Sequence, residues 1–430
     1  MQETALTERW RLPKAEQALL LSMRHDLHAH PELSWQEERT ARVVAEALQA
    51  LGLEVRTGVA RTGVVADIGV SGPMVALRAD MDALPIQEET GLEFASKHSG
   101  VMHACGHDAH TSVLVAVARR LVAEPPKHGR VRLIFQPAEE GAGGAIEMIK
   151  EGVLSDPQPF AIYGLHVWSL LPTGCLSVTT GPAMGSVDHL EIVIHGRGGH
   201  AAAPHDTADP LVAGAYMVTQ LQTLVSRRID PMSPVVVTIG QFQAGDAFNV
   251  IPSTARLVGT IRTLEPETWA VIPRLLEEVV THSAAAHGCH AEIRLSRLQQ
   301  PLVNHEAESA LVRDIALRWV DRGALRTRPM LAGEDFASFL EVVPGCFFFV
   351  GAGGASVEGA APHHNSRFLL DEAAFDLGVR LLEEVAREAL ARESERCATE
   401  EASVRESERR ATKEASVRES ERHAREGGAS

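Results

Sequence analysis

Gly100-Val101-Met102-His103-Ala104-Cys105-Gly106-His107-Asp108-Ala109-His110 packs a thiol, three imidazoles and a carboxylate into eleven residues, directly ahead of an apolar run at 113–121 that reads as a helix. Thiolate and imidazole both suit zinc, cobalt or nickel. The glycine between Cys105 and His107 lets the backbone turn tightly enough for the two side chains to converge. Two ligands do not make a site, so the remaining chain must supply the others.

The segments around this stretch show how it could. Strands are expected at 53–57, 63–68 and 74–78, the last delivering Asp80 and Asp82 to its carboxyl end. Next come a strand at 130–136 that presents Pro137-Ala138-Glu139-Glu140-Gly141, a helix at 142–151, a strand at 160–166 ending on His166, and a strand at 174–179. Two helices precede them, at 14–30 before Pro31 and at 35–51 before Gly52. Strands alternating with helices imply an α/β fold with a largely parallel sheet and its site at the carboxyl edge.

Beyond Gly181 the pattern changes to strand 188–195, helix 208–227, strands 235–243 and 255–262, helix 266–287 and strand 290–295. That order implies a small α/β sandwich, ferredoxin-like, inserted into the larger domain. Helix 306–319, loop 332–335, strand 346–351 and a last helix from 372 to about 391 resume the larger one. The expected boundaries are 1–181 and 294–391 for the two parts of the large domain and 182–293 for the insert. A charged tail occupies 392–430, where Arg-Glu-Ser-Glu-Arg starts at Arg392, Arg405 and Arg418. With almost no large apolar residue it cannot bury surface to offset chain entropy, which leaves a solvated helix extension or disorder.

Composition narrows the function. A chain of 430 residues, 45% apolar and 23% charged, is an ordinary globular mix with room for two or three domains. A formal charge of -16 argues against nucleic acid and anionic membrane surfaces as partners. Neither a signal-like N-terminus nor a run of eighteen apolar residues is present, and the five scattered cysteines fit a reduced compartment, so a cytoplasmic location is expected.

The groups able to do chemistry are Cys105, His107, Glu139, Glu140, His166 and either His363 or His364. Alone, each has an ordinary reading as core thiol, structural imidazole or solvated carboxylate. Together they fall where a parallel sheet gathers side chains. Adjacent glutamates can divide the work, one holding a metal and the other taking a proton from a metal-activated water.

Arg24-His25-Asp26-Leu27-His28-Ala29-His30-Pro31-Glu32-Leu33, Leu77-Arg78-Ala79-Asp80-Met81-Asp82-Ala83-Leu84-Pro85, His103-Ala104-Cys105-Gly106-His107-Asp108, Gln136-Pro137-Ala138-Glu139-Glu140-Gly141 and Gly198-Gly199-His200-Ala201 together resemble the M20 metallopeptidase family. The likeness is to its amidohydrolase branch, which includes hippurate hydrolases, auxin-conjugate hydrolases and N-acyl-amino-acid deacylases, and it covers roughly 15–390. It implies a zinc-peptidase catalytic domain of the phosphorylase/hydrolase-like kind, with a mixed sheet flanked by helices, and an inserted lid and dimerisation domain. It also implies two divalent ions (zinc, manganese, cobalt or nickel) held by Cys105, His107, Glu140, His166 and a C-terminal histidine, with Glu139 as general base. For that histidine, His364, followed four residues later by Phe368, fits the branch's pattern better than His363. Other branches carry His-x-Asp where this chain has Asp80-Met81-Asp82, so Asp80 is expected outside the ligand set and Asp82 behind a ligand, orienting it. Asp108 is expected in a lesser supporting role, with His103 and His110 structural.

By the same resemblance His200 stabilises the oxyanion, commonly from the partner subunit, while Asn249 and Arg262 hold the substrate, Arg262 by its carboxylate. The implied activity is hydrolysis of small N-acyl amino acids by a homodimer joined through the insert. The alternatives are a metal-dependent dipeptidase or carboxypeptidase, a non-catalytic binding protein of the same fold, and a structural zinc site.

Overall fold

A computed structural model describes residues 9–141 and 143–426. Its largest sheet has eight strands, in the order Val55–Val59, Gly63–Ile68, Arg130–Gln136, Met74–Asp80, Ala161–Trp168, Gly345–Gly351, Leu176–Ser177 and Leu325–Arg326. The four central strands run parallel, and antiparallel pairs flank them, which makes the sheet mixed. Met74–Asp80 and Gly345–Gly351 are buried at every position, as expected of strands covered on both faces. One face packs under the helices Glu38–Gln49, His107–Ala123 and Glu306–Trp319 and the start of the last helix, through Val44, Val113, Ile315 and Phe375. The other packs under the short helices Gly144–Lys150 and Ala337–Leu340, through Met148, Phe336 and Phe339.

A separate antiparallel sheet orders its strands Val235–Ala244, Thr254–Thr263, Val187–His195 and His290–Gln299. Strict alternation in Val187–His195 turns Leu190, Ile192 and Ile194 toward the helices Pro210–Thr223 and Pro266–Ala285, where Met217, Leu221, Ile272 and Leu276 complete a core of their own. Asp209 caps the first helix by accepting from Leu211 N at 2.9 Å, and Pro210 occupies its first turn, where a missing N–H costs nothing.

Several expected boundaries shift. The helix expected at 208–227 ends at Thr223, followed by one wider turn over Leu224–Arg228, and the strand expected at 174–179 shrinks to Leu176–Ser177. The last helix runs from Ala373 to Glu426 instead of ending near 391, so the repeats extend it. Ion pairs one turn apart, Arg392 with Glu388 and Arg396 with Glu400, brace its solvated part.

Candidate metal centre

Gly106 adopts φ +98°, and a Cβ there would lie 2.6 Å from Val167 Cγ2, so only glycine lets the chain pass that strand and begin the helix His107–Ala123. Cys105 and His107 therefore emerge on either side of a tight turn. Both are buried, and they converge with His166 from the neighbouring strand, whose Nε2 lies 3.4 Å from Cys105 Sγ.

His107 Nδ1 donates to the Asp82 carbonyl at 2.8 Å, which aims Nε2 the other way. That Nε2 is buried without a hydrogen-bond partner, 3.8 Å from Asp80 Oδ2 and 3.9 Å from Glu140 Oε1, an atom itself shut off from solvent. Burial alone would lower the His107 pKa, but the Asp80, Asp82 and Glu140 carboxylates outweigh it and push it up to about 10. A cation at Nε2 would displace that proton and supply the missing positive charge. Burial, and then Glu140, Glu139 and Asp80, likewise drive the Cys105 thiol well up, a cost that a bound cation would reverse. The donor set fits a metal on these grounds.

His364 Nε2 stands 3.2 Å from Glu140 Oε1 and groups with Cys105. His363 does not: its Nε2 donates to the Val167 carbonyl at 3.0 Å and its ring stacks on Trp168 at 4.2 Å. His110 is also committed elsewhere, with Nδ1 donating to Asp80 Oδ1 at 2.6 Å and Nε2 accepting from Val167 N at 2.9 Å. His103 is fully buried with neither nitrogen bonded, and burial holds its pKa down at about 4.

The two glutamates sit on a loop held from below. Asp82 accepts from Glu139 N at 3.0 Å, Glu140 N at 3.1 Å and Ser34 Oγ at 2.7 Å. Glu37 accepts from Ala138 N at 2.9 Å and so fixes a non-glycine residue at φ +54°. Sequence reading missed Glu37, and its spacing carries no signal that could have revealed it. It named the loop 332–335 but gave Glu334 and Asp335 no role. Buried Arg78 clamps that loop to Asp80 at distances of 2.7–3.2 Å, and Asp335 N donates to Glu139 Oε1 at 3.3 Å. A buried arginine at the end of a central strand requires several carboxylates, which is the signal that could have found them. Burial, followed by the nearby Glu334, Glu140 and Asp335 carboxylates, raises the Glu139 pKa well above the usual range.

Asp108 does not lean on the cluster. Arg24 Nε at 2.9 Å and His28 Nδ1 at 2.8 Å both donate to its Oδ2, tying the helix Lys14–Ala29 to the helix His107–Ala123. Arg262, half-buried, lines a cavity of about 500 Å³ together with Cys105, Glu139, Glu140, His166 and His364. His200 and Asn249 are not among its walls. They lie exposed on and beside a two-stranded ribbon in which Gly199–His200 pairs with Val250–Ile251.

The model of Peptidase family M20/M25/M40 matches residues 76–388. An N-acetyl-L-cysteine deacetylase of Bacillus subtilis is 39% identical over 86% of this chain and 88% of its own length, and a thermostable carboxypeptidase of Saccharolobus solfataricus is 38% identical over 84% and 92%. The crystal structure of a dinuclear metal binding peptidase of the M20 family, also from Bacillus subtilis, superposes with a TM-score of 0.76 at 37% identity, covering 88% of this chain and 99% of that one. Agreement in sequence and in fold along nearly the whole of these relatives makes the chain a member of Peptidase family M20/M25/M40.

Proposed function

We propose that the protein is a metal-dependent amidohydrolase acting on N-acyl amino acids. The observation that carries this reading is the convergence of metal-type donors, most of them buried, around the buried Glu139 carboxyl group. Cys105, His107, Glu140, His166 and His364 would hold two divalent ions, with zinc, manganese, cobalt and nickel all compatible with the set. When bound, the pair would polarise the amide carbonyl and acidify a water molecule. Glu139, buried among the proposed ligands, takes the proton from the attacking water and returns it to the leaving amine. Arg262, half-buried in the cavity wall and without a hydrogen-bonded carboxylate among the described residues, meets the substrate carboxylate. Asp82 holds His107 and both glutamates in register.

The unit over 182–293 acts as an inserted ferredoxin-like lid that also joins two subunits. Apolar side chains left exposed on it support this, among them Leu211, Val212 and Tyr216 on one helix and Phe242, Phe248 and Val250 nearby. His200 and Asn249 then act across the dimer, His200 on the oxyanion. No helix among the described residues is long and apolar enough to cross a membrane, and a cytoplasmic location is part of this proposal.

Glu139→Ala should abolish hydrolysis of acetyl- and benzoyl-amino acids while metal content stays near that of the wild type. Unchanged turnover would defeat the mechanism. Because one close relative is named a carboxypeptidase, free dipeptides belong in the same screen, and a preference for them would favour peptidase action.

A further inference from the structure

The loop 332–335 runs between the four-stranded antiparallel sheet and Glu139 and touches both. At the sheet, Met330 N donates to the Ala183 carbonyl at 2.9 Å and Gly185 N to the Ala332 carbonyl at 3.0 Å. Gly333 then presses on Val187 and Gln299, which pair with each other where the strand Val187–His195 begins and the strand His290–Gln299 ends. A Cβ at Gly333 would run into Val187 Cγ2 and Gln299 Oε1 and stand 3.2 Å from Arg262 Nη1, so bare backbone alone fits there. At the other end of the loop Asp335 N donates to Glu139 Oε1 at 3.3 Å. The Asp335 carboxylate brackets the glutamate loop, accepting from Gln136 Nε2 at 2.7 Å before it and from Ala145 N at 3.0 Å after it. Arg78 Nη2 ties Glu334 and Asp335 together, Glu334 Oε1 also accepts from Phe336 N at 2.9 Å, and all three charged residues are buried. Glu139, Glu334 and Asp335 bring carboxylate oxygens within 4.8 Å of one another, but the last two already have their cation in the Arg78 guanidinium, so they hold the loop.

We infer that 333–335 is a positioning element for Glu139, one that sets the proton-transferring carboxyl group by the seating of the antiparallel sheet that carries Arg262. The inference rests on the amidohydrolase reading above. Separating a buried guanidinium from its carboxylates leaves charge uncompensated, so the Arg78 clamp resists distortion and the loop passes a displacement on instead of absorbing it. A push at Gly333 therefore reaches Glu139 through Asp335. Three residues thus hold the distance between the group that meets the substrate carboxylate and the group that moves the proton. Asp335 acts through Glu139 and is itself no proposed ligand.

Gly333→Ala tests this in the full-length, metal-loaded protein with an N-acetyl amino acid as substrate. Its kcat should fall about 100-fold, the scale of a catalytic group misplaced by about 1 Å, with bound metal unchanged. In metal-free protein, amide hydrogen exchange read by mass spectrometry should quicken at 138–141, a segment that is not among the nearest neighbours of the new methyl. Adding Val187→Ala and Gln299→Ala, which remove the atoms that the methyl meets, should return kcat to that of the protein carrying those two substitutions alone. Should Gly333→Ala not fold, Asp335→Asn, equal in size but one acceptor poorer, asks the question from the other end of the loop: kcat should fall while KM and bound metal hold. Exchange at 138–141 that keeps the wild-type rate, a loss of kcat that the added substitutions do not relieve, or a rise in KM with kcat intact overturns the positioning role; the last would leave Gly333 as a plain wall of the site beside Arg262. Failure of the wild type to hydrolyse any N-acyl amino acid would instead overturn the amidohydrolase reading, and the exchange measurement, which needs neither metal nor substrate, would still decide whether the loop links the sheet to Glu139.

Discussion

Asp82→Asn should weaken metal binding more than it weakens the fold, because of how the two carboxylate oxygens are used. Oδ1 accepts from Glu139 N, and Oδ2 accepts from Glu140 N and Ser34 Oγ, all within 3.1 Å. An asparagine keeps one acceptor. The Ser34 hydroxyl can turn round to accept, so the new amide nitrogen settles at the Oδ2 position and leaves the Glu140 N–H facing a donor. One buried donor without a partner costs about 1–3 kcal/mol. The strain falls on the backbone of Glu140, a proposed ligand, and the carboxylate charge 3.3 Å from His107 Nδ1 is lost as well. Loss of such an orienting partner typically lowers metal affinity about 10- to 100-fold. Titration calorimetry with zinc or manganese, alongside denaturant unfolding of the metal-free proteins, separates the two effects. Metal affinity within twofold of wild type would refute the reasoning, even if stability fell as expected.

Glu37→Ala removes the acceptor that holds Ala138 at positive φ, so kcat should drop by about 100-fold, the scale expected of a catalytic group misplaced by about 1 Å, with metal content changing much less; kcat within threefold of wild type would rule this out. Alkylation of metal-free protein at pH 9, mapped by mass spectrometry, should slowly modify Cys105, and preloading with a divalent ion should block it; equal labelling in both states would remove Cys105 from the ligand set. The His28 pKa is raised because the Asp108 and Glu88 carboxylates outweigh the lowering effect of burial. Folding therefore takes up a proton, and the resulting stability is complete below the unfolded value of 6.5 and lost as pH rises through the higher folded value. The stability gap between wild type and His28→Gln should accordingly be wide at pH 6 and narrow in alkaline solution, as measured by urea unfolding; a gap independent of pH would contradict the pairing.

Much of the fold was legible because apolar periodicity marks strands and helices locally. Arg130–Gln136, Gly63–Ile68 and Glu306–Trp319 fall where the pattern places them. The tail left two readings open, since charged repeats without apolar residues suit a solvated helix as well as disorder, and the helix continues through them. The groups around the metal centre were only half legible. Cys105, His107, Glu139, Glu140 and His166 stand in local motifs at strand and helix ends. Glu37, Arg78, Glu334 and Asp335 matter through contacts over long sequence separations, which spacing does not encode.

By itself the sequence determined which donors are present, their order along the chain and the family they resemble, because short-range spacing and composition carry that information. Only the tertiary structure decided which donors share one point in space. It set His364 rather than His363 beside Glu140, turned Asp108 toward Arg24 and His28, and left His200 and Asn249 outside the cavity of their own chain. The physical reason is that buried charge must find its partners across the whole fold. Which carboxylate meets which cation is settled by packing between elements far apart in the chain.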